Sequence, residues 1–303
     1  MTKETRSMKV PHINKLTNMN TETKKTTIGN KYLKLLFKIT FPLLVIISWE
    51  IIAIWIDRPT ILPKVESVFV ILLYPLKDIL GIGSLYENAL VSITRVFLGF
   101  IIAAVIAIPL GIFIGYFKKV REFTSILIEL IRPIPPLAWI PLALAWFGLM
   151  SAADLLGIET YHPILGNLQI SMIFIIFIGS FFPILLNTVD GVKGVETILI
   201  ETAITLGAKN KEILRKVIIP AASPVILTGL RIGIGIAWMC VVAAEMLPGS
   251  SYGLGYLISH AYDIARIDMV IAGMIVIGLI GILINIIIEF FEEKKFKWRS
   301  KNA

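Results

Sequence analysis

Three arginines and a glutamate stand out within otherwise apolar runs of the sequence: Arg95, Arg132, Arg231 and Glu245. A charge in the apolar interior of a membrane costs about 2.5–3.5 kcal/mol on insertion scales, so such side chains usually face protein or a water-filled cavity. A guanidinium group pairs well with anions, so Arg132 and Arg231 could each attract an anionic ligand. The alternative for both is a side chain that reaches the membrane surface or pairs with a carboxylate such as Glu129.

The other two charges lie near the ends of their apolar runs: Arg95 is close to the first residue of its run, and Glu245 is close to the last residue of its run. Arg95 is expected to anchor its segment at the membrane surface. Glu245, in the sequence Ala-Ala-Glu-Met, could form an ion pair with Arg95 or control the mouth of a transport pathway. Both roles of Glu245 are open at this stage.

A cluster of prolines interrupts one apolar run. Pro133, Pro135 and Pro136 each lack a backbone N–H, so they break the helical hydrogen-bond ladder. Broken helices line the cavities of transporters, and a simple kink is the alternative. Two tryptophans, Trp139 and Trp238, could line the same pathway or pack in the protein core.

Catalytic chemistry has little support in the sequence. The chain has three histidines and one cysteine, and it contains neither a His-Glu-x-x-His nor a Cys-x-x-Cys motif. It also lacks the Gly-x-x-x-x-Gly-Lys-Ser/Thr loop that holds ATP phosphates. We therefore expect no enzyme activity, cofactor or metal site, and any ATP hydrolysis would belong to a separate subunit.

The composition is typical of an integral membrane protein. Hydrophobic residues make up 56% of the chain and charged residues 17%, whereas globular proteins carry about 25% charged residues. Apolar runs of about 20 residues span the bilayer core as helices, so we expect an all-α membrane protein with about six spans. The small-residue pairs Gly111/Gly115 and Gly229/Gly233 predict close packing between these helices. The predicted spans are residues 36–56, 91–117, 123–149, 168–189, 224–247 and 268–291.

The positive charges predict the orientation of the chain. Twenty-two of the 29 lysines and arginines lie in residues 1–38, 118–121, 190–222 and 292–303. Loops rich in lysine and arginine face the cytoplasm, so both termini are expected there. The net charge of +8 follows from this bias, and no folded basic surface suggests a nucleic-acid partner.

The connection between the fourth and fifth predicted spans, residues 190–222, is polar enough to lie outside the membrane. Its first part, residues 195–206, has the composition of a helix. Four of its residues are expected to share one broad face: Ile198, Leu199, Ala203 and Leu206.

A corner is predicted to follow this helix. Gly207 permits a left-handed helix cap, and Ala208 keeps the corner small. A second short helix, about residues 211–218, is expected to end where Pro220 and Pro224 break it. Such a pair of helices would form a compact knob suited to contact with another protein, and a plain solvated connector is the alternative.

These residues resemble a known docking motif. Glu201-Thr202-Ala203, Gly207 and Ile219-Pro220 resemble the loop by which permease subunits of ABC importers dock on their ATPase, although Thr202 stands where alanine is usual. Residues 130–148, 177–192 and 228–246 are similar to permeases for nitrate, sulfonate, taurine and bicarbonate. The resemblance covers about residues 85–292, and the segment 150–167 is longer than is usual in that family.

The resemblance implies a half-transporter in the plasma membrane of a prokaryote. A second permease subunit would complete the pathway as a homodimer, ABC ATPase subunits would bind at the cytoplasmic side, and an extracytoplasmic binding protein would deliver a small anion. Residues 35–292 would form the transmembrane permease domain, with basic cytoplasmic tails 1–34 and 293–303 near membrane lipid. The residues assigned to ATPase coupling are Glu201, Ala203, Gly207, Ala208 and Pro220. The residues assigned to the pathway are Arg132, Pro133, Pro135, Pro136, Trp139, Arg231, Trp238 and Glu245.

Two other classes of protein remain alternatives. A secondary transporter would show inverted internal symmetry and would not need the segment 190–222. A membrane-embedded enzyme acting on lipid-linked substrates would show clustered catalytic residues at one membrane face, and the sequence offers none.

Overall fold

The computed structural model describes residues 40–157, 165–246 and 249–295. In these ranges the chain is helical and forms no β-strand, apart from one isolated bridge between Ser151 and Gln169. The predicted tail 1–34, most of the tail 293–303 and the middle of the segment 150–167 lie outside the described residues.

The α-helices follow one another with short connections. Two of these connections contain single turns of 3-10 helix, at Pro136–Trp139 and Leu165–Asn167. The α-helices of the described ranges are α1 (Thr40–Ile56), α2 (Val65–Leu73), α3 (Leu85–Tyr116), α4 (Lys118–Ile131), α5 (Ile140–Phe147), α6 (Ala152–Leu156), α7 (Ile170–Lys193), α8 (Thr197–Thr205), α9 (Asn210–Ile213), α10 (Ile219–Glu245), α11 (Leu254–Asp263) and α12 (Ile267–Lys295).

Four of the described helices are long and apolar enough to cross a membrane: α3, α7, α12 and the continuous helix Asn210–Glu245 that contains α10. A fifth candidate is the pair formed by Lys118–Ile131 and Pro136–Phe147, if both halves belong to one span. The first predicted span corresponds to α1, which has 17 residues in the described range. Each of the six predicted spans thus matches a helical element, and the number that cross the membrane stays a prediction.

The third predicted span is not one straight helix. Its two halves are bent by 85° at the break that contains Pro133 and Pro135. A proline lacks the N–H of the helical ladder and its ring crowds the preceding turn, so three prolines within four residues explain a sharp bend rather than a gentle kink.

The chain divides into two compact units, Met1–Glu66 and Ser67–Ala303. Within the first unit, two hydrogen bonds tie α1 to the segment that follows it. The indole N–H of Trp49 donates to the carbonyl of Pro63 at 3.0 Å, and the N–H of Val65 donates to the carboxylate of Glu50 at 2.8 Å.

The core of the second unit is the packing of α3 and α10 against α7. Glycines allow the close approach, as the spacing of the glycine pairs predicts. A Cβ atom added at Gly111 of α3 would lie 2.7 Å from Cβ of Thr188 on α7. One added at Gly229 of α10 would lie 2.6 Å from Cβ of Asn187, also on α7. No larger side chain fits at either position without moving a helix.

The second short helix of the segment 190–222 does not end at Pro220, so that prediction is wrong. The helix runs without a break from Asn210 to Glu245, through a π-helical turn at Leu214–Ile218. In this wider turn the N–H of Ile219 donates to the carbonyl of Leu214, five residues back. Pro220, which has no N–H to donate, comes directly after this shift in register and is therefore accommodated inside the helix.

Candidate functional site

The corner between α8 and α9 has the left-handed geometry expected of a glycine cap. Gly207 has φ +81°. The N–H of Ala208 donates to the carbonyl of Ala203 at 3.0 Å, and the N–H of Gly207 donates to the carbonyl of Ile204 at 2.9 Å. A bond that spans five residues across a left-handed glycine is the signature of the Schellman motif, which ends helices. The predicted left-handed helix cap at Gly207 is therefore confirmed.

The corner is open on its outer side. A Cβ atom added at Gly207 would meet no atom within 4 Å. Glu201 is exposed, and Leu206, beside the glycine, is 82% exposed. The outer side of the corner, with the glycine and Leu206, is therefore exposed to solvent.

The face of α8 that packs inward is not the one that carries most of its large apolar side chains. Ile198, Leu199 and Leu206, which were expected to share one broad face with Ala203, are all exposed. The residues of the corner that pack inward are instead Ile200, Ala203 and Ala208, against a buried cluster of Val192, Ile213, Ile218, Ala222 and Ile226. This cluster joins the corner to α7 and to the helix that continues into α10. The helical period predicted a shared face but did not predict which side of α8 packs against the protein.

The bend between α4 and α5 borders a cavity of about 410 Å³. Arg132, the residue at the end of α4, lines this cavity together with Pro136. In the described part of the chain, no hydrogen bond or ion pair joins the Arg132 side chain to another residue, and this side chain is exposed. Asn187 and Asp190 of α7 line the same cavity, and α10 contributes Ile232 and Ile236.

Trp139 follows Pro136 by one turn. Its ring meets that of Phe174 edge to face, with centroids 6.5 Å apart. Among the described residues its indole N–H is buried and has no hydrogen-bond partner. Pro133 and Pro135 are exposed on the bend. The predicted pathway residues 132–139 are therefore neighbours in the structure, whereas the other predicted ones lie elsewhere.

Arg231 and Trp238 lie on a different face of α10. They line a second cavity, of about 220 Å³, between α10 and α12. The Arg231 guanidinium lies 3.3 Å from the carboxylate of Glu292 and 3.9 Å from that of Glu289, and it also donates to Asn285 at 3.1 Å. Pairing with a carboxylate was the alternative role that the sequence analysis gave for Arg231. Trp238 donates to the carbonyl of Ile277 at 3.1 Å.

Arg95 and Glu245 form a fully buried ion pair. Arg95 Nη1 lies 2.7 Å from Glu245 Oε1, and both side chains have no exposed surface. The prediction that Arg95 anchors at the membrane surface is therefore wrong, because the carboxylate lies inside the bundle. The predicted ion pair of Glu245 with Arg95 is confirmed in the geometry, although 150 residues separate the two in sequence.

The Arg95 guanidinium also holds the beginning of α7. It donates to the carbonyl of Asn167 and, at 2.7 Å, to the side chain of Gln169. A further bond of 2.8 Å runs to the carbonyl of Tyr252. With all its nitrogens hydrogen-bonded, a buried guanidinium is tolerated in an apolar bundle.

Comparison with known proteins agrees with this architecture. Residues 107–295 match the family model described as binding-protein-dependent transport system inner membrane component. A putative ABC transporter permease protein of Methanocaldococcus jannaschii is 56% identical over 266 residues, which cover 88% of this chain and 93% of the relative. A putative aliphatic sulfonates transport permease protein of Bacillus subtilis is 32% identical over 294 residues, 97% of this chain and 98% of the relative.

A solved structure shares the fold. A chain of the MetNI methionine ABC transporter, in a structure described as inward facing, is similar over 69% of this chain and 95% of its own length, with a TM-score of 0.56 and 17% identity. The family match and the two relatives agree on the class of membrane protein. The chain belongs to the binding-protein-dependent transport system inner membrane components, and it is a multi-pass permease subunit of an ABC importer in the plasma membrane.

Proposed function

We propose that two copies of this chain form the translocation pathway for a small anion, and that the corner between α8 and α9 docks a separate ATPase subunit. The observation that carries the proposal is the corner itself. It presents Glu201, Leu206 and Gly207 on an open surface, while its inner face is fixed to the helix bundle. A rigidly supported, exposed knob is suited to transmit force from a partner.

The continuous helix from Asn210 to Glu245 supports the same role. It has 36 residues, and a helix of that length extends about 54 Å at 1.5 Å per residue. Movement of the corner would therefore displace one continuous helix. The two faces of this helix line the two cavities.

Arg132 supports an anionic substrate. It is a cation on the wall of a cavity of about 410 Å³, which Asp190 also lines, and among the described residues its side chain forms no ion pair. The relative from Bacillus subtilis is named for aliphatic sulfonates, and nitrate, taurine and bicarbonate belong to the same proposed set.

A second copy and a defined orientation complete the proposal. The α4 helix buries none of its residues in the single chain, and its Phe123, Ile126 and Leu130 are largely exposed. A second copy packed on this side would close the cavity beside Arg132. The charge distribution favours a cytoplasmic location for both termini and the corner, and we propose that an extracytoplasmic binding protein docks at the opposite end.

The experiment is ATP-driven uptake in proteoliposomes that contain this chain, its ATPase and its binding protein. The variant Gly207→Trp is compared with Gly81→Trp, because Gly81 has a similar φ of +75° and equally open surroundings. Backbone strain is thus matched, and only one variant alters the corner. We expect Gly207→Trp to abolish uptake and ATP hydrolysis by the complex, and Gly81→Trp to retain both.

Two results would contradict the proposal. Uptake that persists after ATP is omitted would indicate a secondary transporter. Equal activity of the two tryptophan variants would show that the corner does not dock the ATPase.

A further inference from the structure

The segment that follows α10, residues 249–255, is held by buried polar side chains rather than by apolar packing. Its sequence is Gly-Ser-Ser-Tyr-Gly-Leu-Gly. Three consecutive backbone N–H groups point into the bundle: Gly253 donates to Asn88 at 2.8 Å, Leu254 to Ser92 at 2.9 Å, and Gly255 to Glu245 at 3.0 Å.

The acceptors of these bonds are linked to one another. The Ser92 hydroxyl lies 2.8 Å from Glu245 Oε2, and Arg95 bonds both Glu245 and the carbonyl of Tyr252. Gln169, at the beginning of α7, bonds Arg95 and donates to the carbonyl of Gly249 at 2.7 Å. We define the side chains of Asn88, Ser92, Arg95, Gln169 and Glu245 as the polar clamp.

An apolar core could join three helices equally well, because replacing a buried ion pair by packed hydrophobic residues is often neutral or stabilising. Hydrophobic side chains could not, however, accept hydrogen bonds from the backbone N–H groups of residues 253–255. Gly253 lies so close to the Glu245 carboxylate that an added Cβ would overlap it. The clamp is therefore built to fix a glycine-rich backbone at one position on the end of α10.

The same segment has a surface that a partner can reach. Ser251 is exposed and Tyr252 is half-buried, while Gly253, Leu254 and Gly255 are buried beneath them. Glu245 is the last residue of the helix that begins at Asn210, beside the corner. The polar clamp thus connects residues 251–252 to one end of a continuous helix. The docking corner lies at the other end of that helix.

We propose that Arg95 and Glu245 are positioning residues that report occupancy of the surface at residues 251–252 to the corner at the other end of the helix. The partner at this surface is the extracytoplasmic binding protein, so the inference rests on the proposed function. The clamp keeps the segment and the helix moving together, and ATP hydrolysis then responds to the docked protein.

The test measures the ratio of ATP hydrolysis with and without substrate-loaded binding protein, in complexes reconstituted in nanodiscs. Ser92→Ala removes the acceptor of the Leu254 N–H, and Glu245→Gln removes the charge at nearly constant volume. Asp268→Asn is the control, because it breaks an ion pair with Arg266 of 2.9 Å that lies outside the clamp. Gel filtration establishes that each variant is assembled with the ATPase.

We expect the stimulation ratio to fall at least about fivefold in Ser92→Ala and Glu245→Gln, which is the lower range of ordinary allosteric coupling, and to be unchanged in Asp268→Asn. Should Glu245→Gln fail to assemble, the result for Ser92→Ala decides. An unchanged ratio in Ser92→Ala would overturn the inference, as would a fall of basal and stimulated rates by the same factor.

The two proposals fail in different ways. A wild-type complex that assembles but ignores the binding protein overturns this inference and leaves the docking role of the corner intact. A wild-type chain that does not bind the ATPase overturns both.

Discussion

Removal of the cation from the buried ion pair is expected to destabilise this chain strongly. The substitution Arg95→Met keeps an unbranched side chain but leaves the carboxylate of Glu245, with no exposed surface, without its cation at 2.7 Å. Breaking a buried pair from one side costs about 3–5 kcal/mol, because an uncompensated charge stays in the interior.

The reverse substitution, Glu245→Gln, is expected to cost less, about 1–3 kcal/mol. Arg95 then keeps the carbonyls of Asn167 and Tyr252 and the side chain of Gln169 as acceptors. A carboxamide oxygen at position 245 can still accept from Ser92 or from the N–H of Gly255. In the double variant, the loss should fall short of the sum by about 0.5–3 kcal/mol, since the two residues interact directly.

The assay is the free energy of unfolding of the detergent-purified chain, from a denaturant titration followed by circular dichroism. Asp268→Asn serves as the reference, because its pair with Arg266 is partly exposed and such pairs contribute about 0–1 kcal/mol. The reasoning fails if Arg95→Met costs less than about 1 kcal/mol, the size of that surface effect. It also fails if Glu245→Gln is the more damaging of the two.

Three further predictions concern packing, pathway and corner. Gly111→Val should destabilise the chain by about 1–3 kcal/mol through overpacking, since its Cβ would lie 2.7 Å from Thr188; Gly278→Val, in open surroundings on α12, should lack this effect in the same titration. Arg132→Gln should lower anion uptake about tenfold, which is the effect of losing one charged hydrogen bond. ATPase binding, measured by co-purification, should be unchanged. Uptake equal to that of the wild type would show that Arg132 is not part of the pathway. Leu206→Ser should leave thermal stability unchanged, because the side chain is 82% exposed, and should weaken ATPase binding in a pull-down; unaltered binding would show that Leu206 is not an anchor.

Hydropathy was sufficient to locate the apolar helices, because every predicted span corresponds to a helical element in the described ranges. Hydropathy could not predict a change in the direction of a helix within a span. The prolines after Arg132 predicted a break, but the 85° bend depends on how both halves pack. At Pro220 the same rule failed, because a π-helical turn supplied the space that an α-helix would not have.

The corner shows the same division between local and tertiary information. The left-handed conformation of Gly207 follows from local chemistry, and the structure has it at φ +81°. Which side of α8 faces inward depends on the position of α7 and α10, so the helical period did not predict whether Leu206 would be exposed or buried. Arg95 was misplaced for a similar reason, because its partners Glu245 and Gln169 are distant in sequence and meet only in the folded bundle.

The most direct test of the docking role is the affinity of the ATPase subunit for this chain in nanodiscs, measured for wild type, Gly207→Ala and Gly207→Trp. Alanine and tryptophan bear the same backbone cost at φ +81°, about 1–2 kcal/mol for a left-handed residue, and neither side chain meets its own chain at Cβ. We predict that Gly207→Ala binds within about tenfold of wild type and that Gly207→Trp loses at least about 100-fold, roughly 2.8 kcal/mol. Equal affinities for the two variants would contradict the docking of the ATPase on this corner.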